Sequence, residues 1–424
     1  MLATNLSSSV SMATMACVHV DMVTNLVDED ITHVSWYFII TLTVVALFVG
    51  SRKVYTNIKK KMAHLEVIVI GAGPIGLTSA LIAVQSKRVN KLILYEEVSR
   101  FEVENRGYQI AIQSANVSFL RSFGVDFDNL EGVWRDGCFY TRAGIYLEYI
   151  IQILPFYSTE VDLKFRTKFD RETCDVIDKI VGRKLVICCD GSAGMTSRHL
   201  SLSDEHIQHS TGIYGAMAAI ERNKHTPVPT PEKRIHNLSF DLSAYGNLSY
   251  EEECRSNFTL KIFGNSKRRC LALAVRKGDS NVARSLKTVL DKSIMRNVFL
   301  KCFNTYKSSE EASISDSFCL NNMKFSPRLY EIKISQRIES VAYISDNDLF
   351  IITEGEASRS LNFNTGLDIN IGLKGVTSLQ PFIDMITVAE AEHSIMEALI
   401  FKMEHSDKIC NDFIKFGLKE YMFL

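Results

Sequence analysis

The sequence predicts an α/β fold with an inserted antiparallel sheet, preceded by a single N-terminal transmembrane helix. Three observations lead there. Residues 65–96 read strand, glycine turn, helix, strand, acid; residues from about 201 to 325 read as strands joined by turns; and residues 34–50 form an uncharged apolar run. The 424-residue chain is long enough for one large core or two domains. With 46% hydrophobic and 23% charged residues it has the composition of a folded protein. A net charge of −1 gives no electrostatic footprint for nucleic acid.

Residues 1–33 lack Lys and Arg, carry Asp21, Asp28, Glu29 and Asp30, and show no sustained period, so a flexible segment is expected. The run 34–50 has 17 uncharged residues, the short end of the roughly 17–25 that cross a bilayer. Trp36 and Tyr37 suit the interfacial belt. The linker 51–64 holds Arg52, Lys53, Lys59, Lys60 and Lys61 with no acid, which places the C-terminal side in the cytosol. A cleaved signal peptide would carry its basic residues before the apolar core, not after it. The expectation is therefore a single-pass membrane protein with a cytosolic main domain, the endoplasmic reticulum being the favoured membrane. Asn5 would then be a lumenal sequon, and those at Asn116, Asn237, Asn247 and Asn257 would go unused.

The next stretch sets the fold. Val67–Ile70 is a continuous apolar strand pattern leading into Gly71-Ala72-Gly73-Pro74-Ile75-Gly76. A helical pattern follows, with Leu77, Ala80, Leu81 and Val84 on one face, and a second strand runs from Leu92 to Glu96. This is a Rossmann-like dinucleotide-binding unit. Gly71 permits a positive-φ turn, Gly73 keeps side chains off a pyrophosphate, and Gly76 allows close helix–strand packing. Free N–H groups at the helix start face the phosphate, the dipole adding about 0.3–1 kcal/mol. Glu96, 20 residues after Gly76, can accept the ribose hydroxyl hydrogens.

Beyond this unit, Arg106–Ile112 reads as a strand before a helix at Ser114–Phe123, and Arg142 opens a helix continuing to Leu154. Val161–Phe165 and Lys184–Cys189 read as strands, the latter ending in Asp190-Gly191. In the middle, Gly212–Ile220, Arg234–Leu242, Phe258–Phe263 and Arg269–Val275 read as an antiparallel sheet, Thr226–Pro231 as a loop, and Ser280–Phe303 as helical. Strand returns near 341–353, ahead of Glu354-Gly355-Glu356, and 378–424 is mostly helical. Ten scattered cysteines without CxxC pairs support neither a zinc site nor a disulfide framework. His206, His209, His225 and His236 form no ligand-like cluster, so no metal is expected, and Lys267-Arg268-Arg269 reads as a short solvated turn.

The ordered motifs GAGPIG, CCDGSAGMTSR and TEGEASRSLNFNTGLDINIG resemble the flavoprotein monooxygenase superfamily, the group of aromatic hydroxylases and MICAL oxidoreductases. The resemblance covers roughly residues 65–375. It implies an FAD-binding domain in two parts, 65–200 and 326–375, a substrate domain at 201–325, and C-terminal helices at 376–424. It further implies that Gly71, Gly73, Pro74, Ile75 and Gly76 hold the FAD pyrophosphate and Glu96 the adenosine ribose. Arg106 and Arg142 stand where the family has arginines near the flavin phosphates. Asp190-Gly191 matches a motif touching FAD and linked to the nicotinamide cofactor, Gly355-Glu356 matches the Gly-Asp that binds the ribityl chain, and Gly366 and Asn370 fall beside the ring. Glu356, Phe363 and Asp368 depart from the family's aspartate, proline and glycine. The implied activity is a membrane-anchored, FAD-dependent oxygenation of a small organic substrate by NAD(P)H and O₂. The departures leave open a non-catalytic scaffold of the same fold, or a reductase without oxygen chemistry. Spacing nominates no catalytic residue, because the flavin carries the hard step in such proteins.

Overall fold

The computed structural model of this chain describes residues 64–417, except 158–159, 223–231, 241–256, 266, 279–280 and 367. The apolar run 34–50, nearly all of the basic linker, Asn5, Asn247, His225 and the proline loop 226–231 lie outside the described residues. Among those described, no helix is long and apolar enough to cross a membrane.

Strand β1 (Leu65–Ile70) shows why the chain is layered. Leu65, Val67 and Val69 enter one buried cluster while Ile68 and Ile70 enter another on the opposite face. A strand covered on both sides reads as a continuous apolar run, as this one does. Helix α1 (Pro74–Gln85) packs on the first face, and β2 (Val89–Glu96) lies parallel to β1. The α1 face proves broader than the four residues read from the sequence: every residue from Gly76 to Val84 is buried. The sheet covers one side of α1, and later helices cover the other. Of its two buried hydroxyls, Thr78 Oγ1 donates to Pro74 O at 2.6 Å and lies 2.8 Å from Tyr146 Oη.

Helix α2 (Arg100–Glu104) leads to β3 (Gln109–Gln113), α3 (Ser114–Ser122), β4 (Val133–Arg135) and β5 (Cys138–Arg142). Strands β3, β5 and β4 form a small antiparallel sheet. The sequence reading found β3 but not β4 or β5, whose aromatic run lies too close to the next helix to stand out. Helix α4 (Ala143–Tyr157), β6 (Val161–Phe165), α5 (Arg171–Asp178), β7 (Lys184–Cys188) and α6 (Thr196–His199) follow.

The middle of the chain supplies β8 (His206–Glu221), β9 (Lys233–Leu238), β10 (Phe258–Gly264) and β11 (Arg268–Arg276). The stretch read as one helix from Ser280 breaks into α7 (Asn281–Thr288) and α8 (Lys292–Tyr306). Asp291 starts the second by accepting from Ser293 N at 2.8 Å, a side-chain cap that ends any continuous helix there. Then come α9 (Asp316–Asn322), β12 (Met323–Phe325), β13 (Tyr330–Arg337), β14 (Val341–Ile344), β15 (Leu349–Thr353) and β16 (Arg359–Leu361). Helices α10 (Ile369–Val376), α11 (Leu379–Val388) and α12 (Glu392–Asp412) follow, and a π-helical turn (Phe413–Gly417) closes the described chain.

Among the described residues the large sheets are two. One runs β14-β15-β7-β1-β2-β6, parallel except at β14; the other runs β16-β13-β8-β11-β10-β9, with β12 also on β8. Arg268 and Arg269 of the basic triplet belong to the second. Arg269 is not a solvated turn residue: it is fully buried, its Nε 3.1 Å from Glu311 Oε1. The carboxylate that draws it in lies 42 positions further along and leaves no local trace.

Candidate active site

A cleft of about 1100 Å³ opens where the C-terminal ends of β1, β2, β7 and β15 meet the antiparallel sheet. In open parallel sheets ligands bind beyond the carboxyl ends of the strands. Sites for drug-sized ligands span about 300–1,000 Å³, so this cleft has room for a dinucleotide. Gly71, Gly73, Pro74, Ile75, Glu96, Arg106, Asp190, Gly191, Gly355, Glu356 and Gly366 all line it, although they come from widely separated parts of the sequence.

The three glycines of the first turn do different work. Gly71 has φ +99°, and a Cβ there would come 2.5 Å from Cys189 O. A Cβ on Gly76 would meet Gly71 O at 1.9 Å, so the turn closes only around glycine. Gly73 is the opposite case: a Cβ would find just Arg106 Nη1, at 3.9 Å. What a side chain would fill at Gly73 is the cleft itself. Gly73 also stands at the N-cap of α1 without a side-chain cap; Pro74 has no N–H, and no side chain at the cap takes up the amides that follow it. This bare, positively polarised cradle fits a diphosphate.

Glu96 is buried at the end of β2, accepting from Ala72 N at 2.6 Å and Val98 N at 3.1 Å. Arg106 Nη2 stands 3.8 Å from it. The carboxylate thus ties the glycine turn to its own strand, and its remaining lone pairs are available to hydroxyl donors. Asp190 accepts from Thr196 N at 3.0 Å, and a Cβ on Gly194 would strike its carboxylate at 2.1 Å, so this loop folds tightly over the acid. Gly191 follows at φ +84° with open space around it.

The return segment closes the other end. Gly355 (φ +64°) and Gly372 both pack against Ile75, where Cβ atoms would come within 3.1 and 2.6 Å of it. Gly366 (φ +78°) accepts from Ala111 N at 3.0 Å, tying the return loop to β3. Glu356 points into the cleft. Partial desolvation, then the nearby Asp368 charge, push its carboxyl above the usual range. Burial likewise raises Asp368, whose Oδ1 is buried without a hydrogen-bond partner. Tyr108, beside Arg106, is also raised by desolvation.

Three of the predicted positions stand off the cleft lining. Gly76 lies behind the turn as its packing residue. Arg142 is exposed at the end of β5, paired in the ladder with Gln109. Asn370 is fully buried and makes a structural knot: Oδ1 accepts from Gln113 N and Asn116 Nδ2, each at 2.8 Å, while Nδ2 donates to Ala111 O at 2.7 Å. Conversely, Tyr108, Lys168, Phe263, Arg268 and Cys270 line the cleft without having been singled out as site residues. Phe263, Arg268 and Cys270 come from the antiparallel sheet, where strand alternation gives the face of a residue but not what that face meets.

No family model and no curated protein matches the sequence. Similar solved structures include p-nitrophenol 4-monooxygenase PnpA from Pseudomonas putida DLL-E4, at 14% identity and TM-score 0.46, covering 84% of this chain and 89% of that one. CtdE in complex with FAD is 13% identical, with TM-score 0.45 and coverage of 84% and 94%. Tetracycline destructase Tet(51) is 16% identical, with TM-score 0.42 and coverage of 84% and 90%. These are distant likenesses, and the cleft's own residues carry the functional reading that follows.

Proposed function

We propose that this chain is an FAD-dependent monooxygenase, tethered to a membrane by residues 34–50, that uses NAD(P)H and O₂ to oxygenate a small organic substrate. One observation carries the proposal. The face of the Gly71–Gly76 turn that a Gly73 side chain would fill opens onto the same cleft as Gly355, Glu356 and Gly366. Gly71, Gly73 and the start of α1 would hold the diphosphate, Glu96 the adenosine ribose, and Gly355–Glu356 with Gly366 the opposite end of FAD. The bound flavin would supply electron transfer from the nicotinamide and activation of O₂. The chain's part is to grip and orient. Arg106 offers a cation beside Glu96, and Phe263 gives the antiparallel sheet an apolar surface for substrate.

The test is to purify the protein and follow NADPH oxidation in air and under anaerobic conditions. Flavin-dependent oxidation coupled to oxygenated product supports the proposal. Rapid anaerobic reduction with no oxygenated product would instead identify a reductase. A second reading, a flavin-fold scaffold without turnover, draws on Glu356 and Asp368, two acids whose charges oppose each other in the cleft. Stoichiometric FAD with no NADPH oxidation would select that reading. Glycosylation at Asn5 would support the proposed orientation, with the main domain cytosolic and the endoplasmic reticulum the membrane.

A further inference from the structure

Behind the cleft, at the end of β15, a buried cluster of charges faces the C-terminal helices. Glu354 is 1% exposed and its Oε2 accepts from Arg359 Nη2 at 2.9 Å. Its Oε1 accepts from Lys402 Nζ at 2.5 Å. Lys402, on α12, is 3% exposed and spends its other hydrogens on Ser378 Oγ at 2.8 Å and Gly375 O at 3.2 Å. Arg359 also reaches α12, donating to Ser406 Oγ at 2.5 Å. The packing is closed: a Cβ on Gly375 would fall 2.3 Å from Arg359 Nη2 and 2.5 Å from Glu354 Oε2. Burial opposes the charge on Glu354, yet Lys402 and Arg359 hold its carboxyl below the ordinary range.

Glu354 and Glu356 flank Gly355, and their side chains part company there. Glu354 N donates to Cys188 O at 2.9 Å while its carboxylate goes to α12; Gly355 then turns at φ +64°, and Glu356 enters the cleft. Arg359 lines the cleft as well, whereas no described residue of α12 does. Where Glu354 is held bears on the direction of Gly355–Glu356, and Lys402 holds it together with Arg359.

We infer that Lys402, acting through Glu354, is a positioning residue for the Gly355–Glu356 turn, which ties α12 to a cleft that it does not line. Where it concerns flavin affinity the inference rests on the FAD reading; where it concerns the turn itself it does not. Glu354 has two buried cations, so Lys402→Met leaves it paired with Arg359, whereas Glu354→Gln leaves both cations without an acid. A cycle of Lys402→Met, Glu354→Gln and the double variant therefore tests whether Lys402 acts through Glu354.

Hydrogen exchange across residues 355–361, melting temperature and FAD affinity are to be measured on the full chain. Lys402→Met is expected to melt lower, to exchange about tenfold faster at 355–361 than wild type, and to bind FAD about tenfold more weakly. The double variant should exchange at 355–361 no faster than Glu354→Gln alone, although both melt below wild type because Arg359 has lost its acid. Additive effects on exchange in the double variant, or wild-type exchange in Lys402→Met, would overturn the inference. Should these variants fail to fold, Ser378→Ala removes a single acceptor of Lys402. It should raise exchange at 355–361 about two- to tenfold with the exchange at 65–85 unchanged; no change would again overturn it. If wild-type protein binds no FAD, the FAD reading falls while the exchange comparison still decides the role of Lys402.

Discussion

At the scale of single residues, the glycines of the first turn were legible because backbone geometry demands them, and the structure gives each a separate test. Gly76→Ala places a methyl against Gly71 O and should destabilise the protein by about 1–3 kcal/mol, read as a lower denaturant midpoint. Gly73→Ala meets open space, so stability should stay within about 0.5 kcal/mol while FAD affinity falls about tenfold or more. Equal effects on stability from the two substitutions would mean that Gly73 does not face a ligand. Glu356 gives a pH test. Its folded carboxyl is raised above 4.5, so the folded state binds its proton more tightly and loses that advantage as pH rises through the folded value. Glu356→Gln should therefore gain stability near neutral pH, by about a few tenths of a kcal/mol after solvent screening, and the gain should vanish below about pH 4.5. Charged side chains were the least legible residues. Glu354 looked like any acid beside a glycine, and only the fold reveals that Lys402, 48 positions away, claims it. Arg142 and Asn370 illustrate the reverse: motif position suggested a cofactor contact, and the structure gives them a solvent-facing strand end and a structural knot.

At the scale of elements, the apolar run of β1 and the period of α1 were legible since each is dictated by local pattern. The width of the α1 interface was not, because helices from far along the chain cover its second side. Leu81, fully buried there, should cost about 2–5 kcal/mol as Ala in urea denaturation. Arg269 and Glu311 supply a sharper contrast, since both side chains are wholly buried. Arg222 also pairs with Glu311, 3.3 Å away, so Arg269→Met leaves the acid compensated, whereas Glu311→Leu strands both arginines and should cost about 3–5 kcal/mol, more than Arg269→Met. Equal losses from the two variants would mean that Arg222 does not compensate the acid. The strands β4 and β5 escaped the sequence reading for a related reason. A short strand in an antiparallel trio is defined by its neighbours in space more than by its own alternation.

At the scale of the whole molecule, two sheets meeting at one cleft bring together residues as distant as Gly71 and Gly366. The order of motifs made that meeting legible; the residues of the antiparallel sheet that complete the wall were hidden. The membrane proposal is tested at this scale as well. The full chain should sediment with membranes and resist carbonate extraction, and a chain starting at residue 62 should move to the soluble fraction with its fold intact. Persistence of that shorter chain in the membrane pellet would count against an anchor at 34–50. The central claim is tested most directly by the visible absorbance spectrum of the purified protein, with and without added FAD. The account predicts flavin bands, and FAD released in about a one-to-one ratio on denaturation. A folded, colourless protein that takes up no added FAD would contradict it.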